Sequence, residues 1–339
     1  MEEVNHNVQL TSAEVANLWS QYMNDSMASC VLKYYIKCAK DQDIKEVLQY
    51  ALELAERHLD KIKSFLSQEK YPIPVGFNDN DVDLNAKPLF SDKFIIFYIH
   101  IMTIHGLTGY AGAVSTSIRS DQIDYFVKCS KETMELHKRI TKVMVEKGII
   151  SRPPSITPAE DVDFVTKQSF LTGWFGDRRP LTAIEASGVY FNMKKDVLKI
   201  ALELGFSQVA ESKEIRNYVD RGKKICEKQF DILDSIMSDN DISSPPRYND
   251  EVLSTTKSPF SDKLMLFHIV TLISTASGYY GAAFSVSQRR DLATTYAVLI
   301  AEVMKYAEDG MNIMIKNGWM EQPPTFSDRN ELKNKNEGN

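Results

Sequence analysis

Apolar residues recur at helical spacing in four stretches of the first half of the chain. In the first stretch Val15, Leu18 and Tyr22 lie on one stripe, and a Thr-Ser pair followed by Glu14 precedes it as a capping signal. These patterns predict helices near 12–40 and 44–65, a third helix capped by Ser91, and a fourth over 121–147 that ends at Gly148.

Prolines interrupt this helical pattern between the second and third stretches. Pro72 and Pro74 through Pro88 predict a long extended connection. The second half repeats the order, with a connection from Pro245 to Pro259 and helices near 182–210, 212–238, 261–288 and 291–317. One long crossover between the second and third of four helices is typical of ferritin-like bundles. The predicted fold is therefore all-α, with two tandem ferritin-like four-helix bundles.

Short motifs return in the second half at an offset of 169 to 171 residues. Leu-Thr-x-x-Glu begins at 10 and 181, Phe-Ser-Asp-Lys at 90 and 260, and a Gly-Tyr motif at 109 and 278. The repeat predicts a first bundle over 1–150, an ordered linker over 151–180, a second bundle over 181–326 and a frayed tail over 327–339. The linker aromatics are expected to dock on a bundle: Phe164, Phe170, Trp174 and Phe175.

Two long segments, 94–118 and 264–287, contain no Asp, Glu, Lys or Arg. Each is long enough to cross a bilayer, but His, Ser and Thr interrupt both. A helix that is apolar all round is expected where protein surrounds it, so the pattern favours two buried central helices. Entry into a membrane in some state is the alternative. Glycines such as Gly106, Gly109 and Gly112 indicate tight helix packing, with a ligand slot or π-bulge as the alternative.

Composition narrows the class of protein. A net charge of -6 without a long basic run disfavours nucleic acid as a partner. The four cysteines form no CxxC pair, which predicts reduced thiols rather than disulfides or a thiolate metal site. The first ten residues are acidic and polar, unlike a secretory signal, so a cytoplasmic protein is expected.

Candidate metal chemistry is confined to the first half. Neither His58 nor His137 belongs to a Glu-x-x-His motif, so a standard di-iron carboxylate centre is not expected. Four residues near the middle of different predicted helices form a weaker set: Asp25, His58, His105 and His137. If they converge, they could hold one transition metal ion, such as Fe, Zn or Mn. The alternative is a set of hydrogen-bonded core histidines and no cofactor. In the second half Gln229 and Ala307 replace two of the histidines, whereas Asp196 repeats Asp25.

The repeated motifs, with Gln-Ser-Phe-Leu at 168 and Gly-Phe-Ser-Gln-Val-Ala at 205, resemble the family of proteins of unknown function designated DUF3231. The resemblance covers nearly the whole chain, including the linker. It implies tandem ferritin-like bundles in spore-forming, Bacillus-type bacteria, with a distant similarity to spore coat protein F. The family carries no settled activity, so it supplies no catalytic residues.

Three functions remain open at this stage. The first is a non-catalytic structural or interaction protein, associated with sporulation, which binds an unknown protein partner as a monomer or homodimer. The second is a metal-binding or oxidative-stress protein with one site in the first bundle. The third is a membrane-active bundle. The sequence has no Gly-rich phosphate loop or nucleophile elbow, so enzymatic activity is not predicted.

Overall fold

The computed structural model describes residues 8–173 and 178–329, and this part of the chain forms eight α-helices. The first bundle contains α1 (Ser12–Cys38), α2 (Gln42–Gln68), α3 (Asp92–Thr116) and α4 (Ser120–Glu146). The second bundle contains α5 (Ala183–Val209), α6 (Lys213–Ser238), α7 (Asp262–Val286) and α8 (Arg290–Lys316). The predicted all-α fold of two tandem four-helix bundles is confirmed.

The Leu-Thr-x-x-Glu motif joins two helix ends. At the start of α1, Glu14 accepts a hydrogen bond from the Thr11 amide at 2.7 Å, and the Thr11 hydroxyl accepts one from the Glu14 amide at 3.2 Å. The other Glu14 oxygen accepts from the amides of Ile118 and Arg119, at the start of α4. Glu185 makes the equivalent contacts for α5 and α8. One buried carboxylate thus satisfies free amides of two helices.

The Phe-Ser-Asp-Lys motif also has a structural role. The Ser91 hydroxyl accepts from the backbone at the start of α3 and donates to Glu251 of the other half at 2.6 Å. Asp92 accepts from the amides of Lys40 and Asp41 in the turn between α1 and α2. The motif therefore fixes the first three helices relative to one another and to the second half.

Two long connections, the first crossover (69–91) and the second crossover (239–261), lie against each other. Two antiparallel bridges join them, Val82 with Phe260 and Phe90 with Val252. The Ser261 hydroxyl donates to Asp81 at 2.7 Å, which mirrors the contact between Ser91 and Glu251. Each crossover thus contacts the start of the apolar third helix of the other bundle. One hydrophobic core includes residues of both bundles.

The charge-free helices are buried in their first halves only. All eight residues from Phe94 to Ile101 are buried, but most of α3 beyond residue 103 is partly or fully exposed. The most apolar windows of α3 and α7 are 50% and 28% buried, and by length and composition alone both helices could cross a membrane. The prediction of wholly buried helices is wrong for their second halves. Small and hydroxyl-bearing residues dominate there, and hydroxyls such as that of Thr108 donate to carbonyls of their own helix.

The linker differs from its prediction. Residues 152–168 are exposed, and Phe164 is 78% exposed, so this ring does not dock on a bundle. Phe170 is covered by the guanidinium of Arg179, 3.9 Å from the ring centroid. The predicted docking of Trp174 and Phe175, and most of the predicted frayed tail, lie outside the described residues.

Candidate functional site

A cavity of about 390 Å³ lies inside the first bundle. Its walls come from α1 to α4, and α7 of the second bundle adds His268, Thr271, Leu272 and Thr275. Pockets that bind small molecules have volumes of about 300–1,000 Å³ and mostly apolar walls. Among the described residues that line this cavity none is Lys or Arg, and one, Asp25, carries a carboxylate. Its size and walls suit a small molecule.

The exposed part of the cavity lining lies on α1 and α3, which places the opening there. We define its mouth as the four lining residues at this place, Ser20, Asn24, Gly106 and Gly109. Ser20 and Gly109 are exposed, and a Cβ added to Gly109 would meet no other atom within 4 Å. The same holds for Gly112. The expected tight packing at these two glycines is therefore wrong, and Gly109 leaves an opening instead.

Polar groups meet at the end of the cavity nearest to this mouth. His58 Nδ1 lies 3.3 Å from Asp25 Oδ2, and His58 Nε2 lies 3.5 Å from Glu132 Oε2. Tyr110 Oη is 3.5 Å from His58 Nδ1. Burial alone lowers the pKa of His58, but its contacts with Asp25 and Cys129 outweigh burial and raise the pKa to about 10. At neutral pH His58 is therefore an imidazolium between two carboxylates.

His137 lies in a different environment. Its Nδ1 is 2.8 Å from the Thr103 hydroxyl, and its ring stacks on His100 with centroids 4.9 Å apart. Burial, and to a lesser extent the charge of Lys194, lowers the pKa of His137. It is not among the residues that line the cavity.

His105 lies at the contact between the bundles. Its ring is 5.6 Å from that of Tyr279 on α7, and its Nε2 is buried without a hydrogen-bond partner. Burial, followed by the charges of Lys195 and His268, lowers the pKa of His105 to about 3. The imidazole is therefore neutral.

The structure thus brings together two of the four predicted site residues, Asp25 and His58. Across residues 8–173 and 178–329, no group of three or more His, Cys, Asp or Glu side chains could hold a metal ion. The single-metal site stays a prediction.

The second bundle shows what the same fold does with different side chains. Helices α1 and α5 have equal length and correspond at an offset of 171, while α3 and α7 correspond at 170. Gly109 therefore matches Tyr279, and Tyr110 matches Tyr280, which corrects the motif pairing at 169. Four of the cavity-lining positions on α1 carry a larger or charged residue on α5. Ser20 corresponds to Phe191, Asn24 to Lys195, Ala28 to Lys199 and Leu32 to Glu203.

These replacements close the mouth of the second bundle. The rings of Phe191 and Tyr279 meet edge to face at 5.2 Å. Lys195 Nζ lies over both rings, 3.4 Å and 3.0 Å from their centroids, and this residue is only 7% exposed. Burial lowers the pKa of Lys195 to about 6. The positions that form the mouth of the first bundle are thus closed by an aromatic contact in the second.

Charged side chains fill the interior behind this seal. Lys199 Nζ lies 3.2 Å from Glu203 and 3.4 Å from Cys226 Sγ. The pocket beside these residues is about 20 Å³, roughly enough for one water molecule. The Asp25–His58–Tyr110 cluster also has a counterpart, in which Tyr280 donates to Asp196 at 3.1 Å. Burial raises the pKa of Asp196 to about 7.

Comparison with known proteins adds a family but no activity. No curated protein matches the chain. A solved structure of a "putative spore coat protein" from Bacillus halodurans matches 44% of this chain and 98% of its own, with 19% identity and a TM-score of 0.41. The family described as "Protein of unknown function (DUF3231)" matches residues 1–162 and 169–332, one match for each half. The chain belongs to the DUF3231 family.

Proposed function

We propose that the protein is a non-enzymatic binding protein that holds a small, largely apolar molecule in the first bundle. The second bundle serves as a filled scaffold. One observation carries the proposal: four lining residues of the first bundle, Ser20, Asn24, Ala28 and Gly109, correspond to the larger Phe191, Lys195, Lys199 and Tyr279 in the second, where the pocket is far smaller.

The energetic argument starts from the cavity itself. Side chains around open space lose the packing contacts that they would make in a filled core, so a cavity of 390 Å³ weakens the first bundle. The second bundle has larger side chains at four of the corresponding positions, and the pocket beside them is about 20 Å³. A cavity kept in one copy and filled in the other is therefore better explained by use than by a limit of the fold.

The polar groups of the cavity support binding rather than catalysis. His58 is held between Asp25 and Glu132, and Tyr110 accepts from the side-chain amide of Gln21 at 3.3 Å. General acid or base catalysis favours a group with a pKa near the working pH, whereas the contacts of His58 raise its pKa to about 10. These groups are suited to orient a ligand.

The test is binding of N-phenylnaphthylamine, a neutral dye whose fluorescence rises in apolar surroundings. The closed variant Ser20→Phe with Gly109→Tyr introduces the residues of the second bundle at the mouth. We expect it to fold and to lose at least about tenfold in dye affinity.

A matched control places the same side chains outside the cavity. Ala16→Phe with Gly112→Tyr alters exposed positions on the same two helices, and neither residue lines the cavity. The control should bind dye like the wild type. Equal dye binding by the closed variant and the wild type would contradict the proposal.

The sequence-based alternatives are separate proposals with their own tests. The contact between Asp25 and His58 supports the metal proposal, and elemental analysis of untagged protein, with His58→Ala as the comparison, tests it. A spore-associated role is tested by following a fluorescent fusion in sporulating cells, where a uniformly cytosolic signal would count against it. Sedimentation with liposomes tests the membrane-active bundle.

A further inference from the structure

We infer that the ligand is a neutral single-chain amphiphile, with its polar head near the mouth and its apolar tail pointing toward the core between the bundles. This inference rests on the proposed function, because it assumes that the cavity of the first bundle binds a ligand. Three features carry it: the shape of the cavity, the order of its polar and apolar walls, and its charge.

The cavity is elongated along α1. The α1 residues that line it extend from Asn17 to Leu32, and at a rise of 1.5 Å per residue they span about 22 Å. A volume of 390 Å³ spread over such a length is narrow. A single alkyl chain fits this shape.

The walls change character along this length. The first five α1 residues are polar: Asn17, Ser20, Gln21, Asn24 and Asp25. The last four are apolar: Met27, Ala28, Val31 and Leu32. Facing helices continue the apolar part with Ala51, Leu54, Ala55, Ile99, Met102 and Leu136, while Thr103 and His105 of α3 and His268, Thr271 and Thr275 of α7 also line the cavity. A ligand that satisfies both parts has a polar end at the mouth and an apolar tail beyond it.

The polar end offers an acceptor for a hydroxyl group. Asp25 Oδ2 is buried and receives no hydrogen bond of good geometry, although His58 Nδ1 lies 3.3 Å away. A ligand hydroxyl could donate to this oxygen. Asn24 directly precedes Asp25, Ser20 lies about one and a half helical turns before it, and Tyr110 adds a phenol.

The charges favour a neutral head. The described lining has no Lys or Arg, and the two ring nitrogens of His58 already lie 3.3 Å from Asp25 and 3.5 Å from Glu132. A carboxylate head would be buried beside Asp25 without a free cation. An ammonium head would have to replace His58 as the partner of Asp25. A hydroxyl head avoids both penalties.

The experiment is displacement of bound N-phenylnaphthylamine from the full chain by three compounds of equal chain length: dodecanol, dodecanoic acid and dodecylamine. Dodecanol should displace the dye at a concentration about tenfold lower than the other two. Equal or better displacement by the acid or the amine overturns the neutral head. If the closed variant fails to bind the dye but none of the three compounds displaces the dye from the wild type, the ligand is not a single-chain amphiphile. The proposed function is then unaffected. Dye binding that the closed variant retains removes the proposed function itself.

A second variant tests the direction of the tail. Ala28→Leu narrows the apolar part, and Ala16→Leu makes the same change on the exposed face of α1. We expect Ala28→Leu to weaken dodecanol about tenfold and to leave propanol unchanged, because a three-carbon chain ends about 4 Å from its hydroxyl, whereas Ala28 lies about 4.5 Å along α1 from Asp25. Equal loss for both alcohols, or none for either, would overturn the inferred orientation. Ala16→Leu should affect neither.

Discussion

The two bundles share helix lengths, caps and crossovers, but their interiors are opposites. The first contains a cavity of about 390 Å³ behind a mouth of small residues, and the second keeps about 20 Å³ behind an aromatic seal. Corresponding helices begin and end at equivalent positions of the two copies, to within about one residue. The difference therefore lies in their side chains. Exchanging these side chains between the copies is therefore the direct way to test what each interior does.

The largest expected effect comes from giving the second bundle a residue of the first. Lys199→Ala removes the buried partner of Glu203 and should lower the free energy of unfolding by about 3–5 kcal/mol. The measurement is urea unfolding followed by a probe in the second bundle.

The double variant Lys199→Ala with Glu203→Leu restores both first-bundle residues and removes both charges. It should be clearly more stable than the single variant, because no unpaired carboxylate remains buried. Equal losses in the single and the double variant would mean that the ion pair does not dominate this interior.

The next effect in size is a pH dependence that differs between the bundles. The folded pKa of His58, about 10, exceeds its ordinary value of 6.5, so the folded state keeps a proton that the unfolded state loses between these values. Its stabilising contribution is complete below pH 6.5 and declines as the pH rises toward 10. The first bundle should lose roughly 2 kcal/mol between pH 7 and 9.

Lys195 has the opposite effect on the pH dependence of stability. Burial lowers its folded pKa to about 6, so the unfolded state binds more protons from pH 6 to 10.5, and this group makes the second bundle more stable as the pH rises. Urea unfolding at several pH values, with His58→Gln as the first-bundle variant, tests the contrast. If the stability of the first bundle still falls with rising pH in the His58→Gln variant, another group causes the pH dependence.

The smallest effect tests whether the scaffold is equivalent in the two copies. Thr11→Ala and Thr182→Ala each remove the hydroxyl of a capping box and should each lower stability by about 1 kcal/mol. Thermal unfolding of the two variants provides the comparison. Clearly different losses of stability would show that the two caps contribute unequally, although their hydrogen-bond geometry is the same.

The scaffold was predictable because its signals are local. The capping box of Thr11 and Glu14 and the prolines of the crossovers act within a few residues of their own positions. Asp25 and His58 also meet as the helical patterns suggested. Hydroxyls such as that of Thr108 allow an uncharged helix to remain partly exposed, which a count of charges does not reveal.

The cavity was harder to predict because it depends on which side chains face one another across helices. His137 is half-buried and contacts Thr103 rather than Asp25, and which of these residues it meets depends on how the helices pack in three dimensions. One signal was nevertheless present in the sequence. Small residues at Ser20 and Gly109 correspond to Phe191 and Tyr279 once the copies are aligned helix by helix.

The reciprocal crossovers have a consequence for how the chain could be divided. Ser91 contacts Glu251 and Ser261 contacts Asp81, so the bundles hold each other through segments remote from the exposed linker. The exposed part of the linker, residues 152–168, adds little to these contacts beyond the hydrogen bond that Tyr190 donates to the Arg152 carbonyl. Two separately synthesised halves could therefore reassemble, and a circular permutant opened in the linker would retain this interlocked pair.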